Sequence, residues 1–99
     1  MLLTQRSGYQ LMSDKKQRVV IVDDHPLFRE RLAQLINHDL GMEVCGEAEN
    51  AQDALLLIRS TSPDMAIIDI TLKESSGLEL IKSIRGLSIG IPVLVLSMH

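Results

Sequence analysis

Four short apolar runs alternate with three longer stretches of mixed polarity. The runs are Arg18–Asp23 (with Val19-Val20-Ile21-Val22 inside it), Met42–Ala48, Met65–Ile70 and Val93–Leu96. Apolar runs of this length, bounded by turn residues, predict buried strands. Strands that are apolar on both faces belong in a parallel sheet covered by helices. The second run alternates imperfectly, Met42, Val44 and Gly46 against Glu43, Cys45 and Glu47, and is expected at a sheet edge. Between the runs the period changes. Phe28, Leu32, Leu35 and Ile36 recur at helical spacing and predict a helix from Pro26 to about His38, with Gly41 as its stop. Arg29, Glu30, Arg31 and Gln34 fall mostly off that face. Asn50 caps a second helix, with Asp53 three positions on and Ala54, Leu57 and Ile58 as its inner stripe, widened by Leu55 and Leu56. Ser60-Thr61-Ser62-Pro63 ends it. Leu80, Ile81, Ile84 and Leu87 make a third helix, capped by Ser75 or Ser76. Pro92 precedes the last strand, where it costs no central hydrogen bond.

The order is β-α-β-α-β-α-β. A helix between each pair of strands requires parallel pairing with right-handed crossovers. Residues 1–17 are polar and aperiodic and are expected to form a disordered extension, leaving 18–99 as one α/β domain.

Composition narrows the function classes. The aromatic fraction is 2% and the hydrophobic fraction 45%, so the core must be aliphatic. A net charge of -3, with Lys15-Lys16-Arg18 as the basic cluster, gives no support for nucleic-acid contact by this segment. The single cysteine, Cys45, cannot form an internal disulfide and is read as a small core hydrophobe in a reducing, cytoplasmic setting. No apolar run approaches the roughly 18–20 residues of a membrane span, and the N-terminus lacks a secretory pattern.

The chemistry concentrates at two strand ends. Asp23-Asp24 closes the first run, and Asp69 lies near the end of the third. In open α/β sheets, ligands bind beyond the carboxyl ends of the strands. If the two strands are neighbours, three carboxylates converge and repel, and a divalent cation removes the conflict. Magnesium suits such a site, because it takes oxygen ligands and accepts one or two carboxylates. An aspartate there can also act as a nucleophile toward phosphorus. His25 follows the acids but is read as a helix-start residue, since magnesium prefers oxygen.

The segment from Val19 through Asp23-Asp24-His25-Pro26 to Arg29 resembles the opening of a two-component response-regulator receiver domain, nearest the NarL/FixJ class. Gly46–Ala51, Ser62–Ile70 and Val93–His99 continue the resemblance, which covers about Arg18 to His99. It implies a flavodoxin-like (CheY-like) parallel sheet of order 2-1-3-4. It implies Asp69 as phosphoacceptor for a sensor histidine kinase. Mg2+ would be held by Asp23, Asp24, Asp69 and the backbone carbonyl of Thr71, and Ser97 would be the switch hydroxyl. Thr71 and His99 occupy positions that tune phosphate lifetime in that family. The output would be transcriptional, through a helix-turn-helix in a full-length parent, and the domain would not itself be an enzyme.

Two departures stand out. Lys73 replaces the usual proline four residues after Asp69, although Gly77 is kept. The sequence also stops where a receiver would continue to a fifth strand and last helices, and no lysine follows Lys82 to pair with the phosphoryl group. The expectations are reduced phosphorylation and either self-association through the bare edge of the fourth strand or poor stability. The alternative function is a non-phosphorylated dimerisation module with the same fold. A phosphohydrolase resembling the haloacid dehalogenase group would need an aspartate where Thr71 stands.

Overall fold

The computed structural model describes residues 15–39, 41–70, 77–87 and 89–96. Among them are β1 (Gln17–Val22), α1 (Pro26–Asn37), β2 (Met42–Ala48), α2 (Ala51–Thr61), β3 (Met65–Asp69), α3 (Gly77–Gly86) and β4 (Val93–Leu96). The strands form one parallel sheet in the order β2-β1-β3-β4. The expected elements are all present, with ends shifted by a residue. Residues 1–14, residues 71–76 with Thr71, Lys73 and both candidate cap serines, and Ser97 with His99 lie outside the described residues.

The sheet is covered on both faces. Val19, Ile21 and Ile67 pack with Ala33 and Ile36 of α1. Val20, Val22, Ala66 and Ile68 pack with Ala54 and Ile58 of α2 and Leu80 and Ile84 of α3. Adjacent residues of β1 therefore serve opposite cores, which explains why the run shows no polar alternation. Each fully buried Ile or Leu contributes about 1.5–3 kcal/mol relative to exposure.

The irregular pattern of β2 has a specific cause. Val19 pairs with Val44 and Val20 with Gly46, so Cys45 is an extra residue in the ladder. Met42 and Val44 face the α1 side, whereas Cys45 and Ala48 join the α2 side. The bulge switches the apolar face partway along the strand. Gly46 then permits close approach of α2, since a Cβ there would stand 2.8 Å from the Leu57 methyls. β2 lies at the edge, as its alternation predicts.

Helix ends follow local chemistry. The Asn50 side chain accepts from the Asp53 N–H at 2.8 Å. Ser62 closes α2 in the left-handed conformation (φ 48°), with its N–H on the Ile58 carbonyl. Several expectations need correction. Leu35 and Leu56 are 64% and 67% exposed and belong to no core stripe, and Leu87 lies past α3, half exposed. Ala33, a weaker signal, is buried instead of Leu35 because the α1 stripe is rotated toward it. Gly41 is not the stop of α1, which ends at Asn37 with His38 as C-cap in the right-handed conformation. Arg29 stays off the apolar face but is partly buried, with its guanidinium on the Asp23 carbonyl and Glu47.

Gly77 seats α3 against the end of β3. A Cβ at this position would lie 2.6 Å from the Asp69 carbonyl oxygen and the Ile70 Cα, both backbone atoms. Backbone cannot yield as a side chain can. Gly77→Ala is expected to destabilise the domain by about 1–3 kcal/mol, read as a lowered thermal midpoint. An unchanged midpoint would contradict this seating of α3.

Candidate functional site

The parallel register brings the acids together. Val22 pairs with Ile68, so the residues that follow, Asp23 and Asp69, leave neighbouring central strands side by side. The Asp23 N–H donates to the Ala48 carbonyl at 3.0 Å, which holds the chain in line past the end of β1. Asp23 and Asp69 are each 1% exposed, and Asp24 is partly buried. Donor atoms from Asp23, Asp24, His25 and Asp69 all lie within 4.8 Å of one another. The convergence expected of Asp23, Asp24 and Asp69 is therefore realised.

The residues fit a cation. Asp23 Oδ2 is buried and has no hydrogen-bond partner among the described residues. A buried carboxylate oxygen without a donor is costly. Further carboxylates beside it add repulsion. A hard divalent cation answers both problems through oxygen ligands. The other oxygen, Asp23 Oδ1, accepts from the His25 backbone N–H at 2.7 Å.

Two residues enter the site that sequence reasoning left outside it. His25 is the N-cap of α1, in extended conformation, but its side chain makes no cap hydrogen bond. It turns instead into the acids. Nδ1 lies 2.8 Å from Asp23 Oδ1, 3.1 Å from Asp24 Oδ1 and 3.6 Å from Asp69 Oδ2. Pro26 at the first helical position, where its missing N–H is not needed, starts the helix without help from the imidazole. Arg29, one turn later, donates through Nη1 to the Asp23 carbonyl at 2.6 Å and through Nε to Glu47 at 3.1 Å. It ties the β1–α1 loop to the end of β2. The Arg29–Glu47 pair is partly exposed and contributes little stability by itself; its consequence is to hold the backbone that carries Asp23. The signal for both was positional, a histidine directly after the acid pair and an arginine four residues beyond it.

Comparisons with known proteins bear on the family and the fold. The model of the response regulator receiver domain matches residues 19–99. The nitrate/nitrite response regulator protein homolog of Haemophilus influenzae is 33% identical over 82 residues, which are 83% of this chain and 39% of that protein. A protein-glutamate methylesterase/protein-glutamine glutaminase of Vibrio vulnificus is 36% identical over 86 residues, 87% of this chain but 25% of its own length. Among solved structures, a LuxR-family two-component response regulator from Aurantimonas sp. SI85-9A1 aligns with a TM-score of 0.80 at 36% identity, covering 86% of this chain and 61% of that one. This chain spans about a quarter to two-fifths of the curated relatives it matches. A family match over residues 19–99, with relatives and a solved structure above 30% identity over most of the sequence, means that the chain belongs to the response regulator receiver domain family.

Proposed function

We propose that this chain accepts a phosphoryl group on Asp69 from a sensor histidine kinase, with Mg2+ held by Asp23, Asp24 and Asp69. The observation that carries the reading is the buried Asp69 carboxylate beside Asp23 and Asp24 at the ends of the two central strands. An Asp69 oxygen attacks phosphorus, the bond from phosphorus to the kinase histidine breaks, and an acyl phosphate forms. When bound, the cation neutralises charge that builds on the phosphoryl oxygens. Burial fixes the Asp69 carboxylate at the end of β3, and Arg29 fixes the loop that carries the acid pair.

The backbone carbonyl of Thr71 is assigned as a further ligand and Ser97 as the switch hydroxyl. Both lie outside the described residues, and their roles rest on the likeness to the receiver family. In the parent protein the domain switches a transcriptional output in the cytoplasm and is no enzyme beyond its own phosphorylation. No helix among the described residues is long and apolar enough to cross a membrane.

One observation favours an added dimerisation role. Among the described residues β4 pairs only with β3, and Leu94 and Val95 are about half exposed. An open strand edge with apolar side chains invites pairing with a second copy. Sedimentation of the 99-residue chain is expected to show concentration-dependent association; a monomer at all concentrations would refute it.

Two further outcomes test the main reading. Asp69→Asn is expected to abolish Mg2+-dependent labelling by a small acyl phosphate while preserving the thermal midpoint; retained labelling, seen by intact mass, would identify another acceptor. Mg2+ at a hundredfold over its Kd is expected to stabilise the chain by about 2.7 kcal/mol. Asp23→Asn should lose that gain, and in chelator it should be at least as stable as the parent because one of the crowded charges is gone. An equal Mg2+ response in parent and variant would remove Asp23 from the ion site.

A further inference from the structure

His25 is the group in the pocket that the phosphorelay reading leaves unused. Its Nδ1 stands 2.8, 3.1 and 3.6 Å from single oxygens of Asp23, Asp24 and Asp69. Adjacent donors around an ion with bonds of about 2.1 Å lie about 3 Å apart. The imidazole nitrogen stands near that spacing from Asp23 and Asp24 and somewhat farther from Asp69, and all four donors lie within 4.8 Å of one another. The side chain is not committed to capping α1, and among the described residues its ring nitrogen faces the acids. Nδ1 lies at hydrogen-bond distance from Asp23 Oδ1, a contact that a metal would replace, with the imidazole proton on Nε2 and the Nδ1 lone pair on the ion.

We propose that His25 sets the metal preference of this pocket: Nδ1 is a ligand for borderline transition ions such as Ni2+, but not for Mg2+. The inference rests on the cation site described above and adds a second class of ion to it. The physical reason is ligand softness. Carboxylate and carbonyl oxygens suit Mg2+, whereas imidazole favours Ni2+, Cu2+ and Zn2+. Three carboxylates alone make a hard site. Three carboxylates with one imidazole make a mixed site in which Ni2+ competes with Mg2+ for the same acids. The pocket would then respond to transition-metal supply as well as to the kinase.

Calorimetric titration of the untagged 99-residue chain with Mg2+ alone and with Ni2+ alone tests this. The parent is expected to bind both at one site, Ni2+ more tightly, each displacing the other. His25→Ala should weaken Ni2+ at least about tenfold, the lower end of the loss seen when groups supporting a metal ligand are removed, and leave Mg2+ within about threefold. His25→Gln, which restores a hard oxygen donor of similar reach, should show the same selective loss and guards against a folding defect at the start of α1. His38→Ala alters an exposed histidine at the far end of α1 and should change neither ion. If His25→Ala and His25→Gln shift both ions equally, or neither, or if His38→Ala causes the Ni2+ loss, the inference is overturned. A parent that fails to bind Mg2+ would instead overturn the underlying reading of the site.

Discussion

Mutual repulsion among carboxylates at the ends of β1 and β3 is the constraint around which this domain is built. Asp23 and Asp69 are almost wholly buried, and Asp24 is close to them. Water screens such charges poorly once they leave the surface. The aliphatic sheet must hold them in place against that repulsion. It does so with two cores, one on each face, so that β1 and β3 are clamped from both sides. A bound cation would turn the repulsion into attraction, which gives the ion and the fold a shared free energy.

The rest of the site follows from the same constraint. The β1–α1 loop carries both Asp23 and Asp24 and must not drift. Arg29 grips its backbone from inside the first turn of α1 and is itself steadied by Glu47 at the end of β2. Gly77 keeps α3 close to the carbonyl of Asp69. These contacts are made by residues outside the acid trio, and they set where its carboxylates stand. His25 sits at the junction of both roles, since it ends the loop and reaches the acids.

The order of elements was legible because each local signal agreed with the next. Four apolar runs, three helices and the Asn50 cap all appear where the pattern puts them. The misreadings share one cause. Leu35, Leu56 and Leu87 were counted as core because they are leucines near a stripe, and a stripe's width depends on what lies opposite it. The bulge at Cys45 was visible only as a broken alternation, because a switch of face is defined by the partner strand. The reach of Arg29 to Asp23 and Glu47 was hidden for the same reason, since its acceptors lie on other elements.

Local composition thus determined the strands, the helices, the parallel crossovers and the two positions at which acids end a buried run. Period and residue type act over neighbouring residues, so the chain carries them openly. The adjacency of β1 and β3, which the family resemblance implied but local pattern could not supply, is a tertiary outcome, and only the tertiary structure decided the register that sets Asp23 beside Asp69. It alone decided that the His25 imidazole leaves the helix it begins and enters the acidic cluster. Those outcomes are distances between residues far apart in sequence or turned by a single side-chain torsion, and no periodicity encodes them.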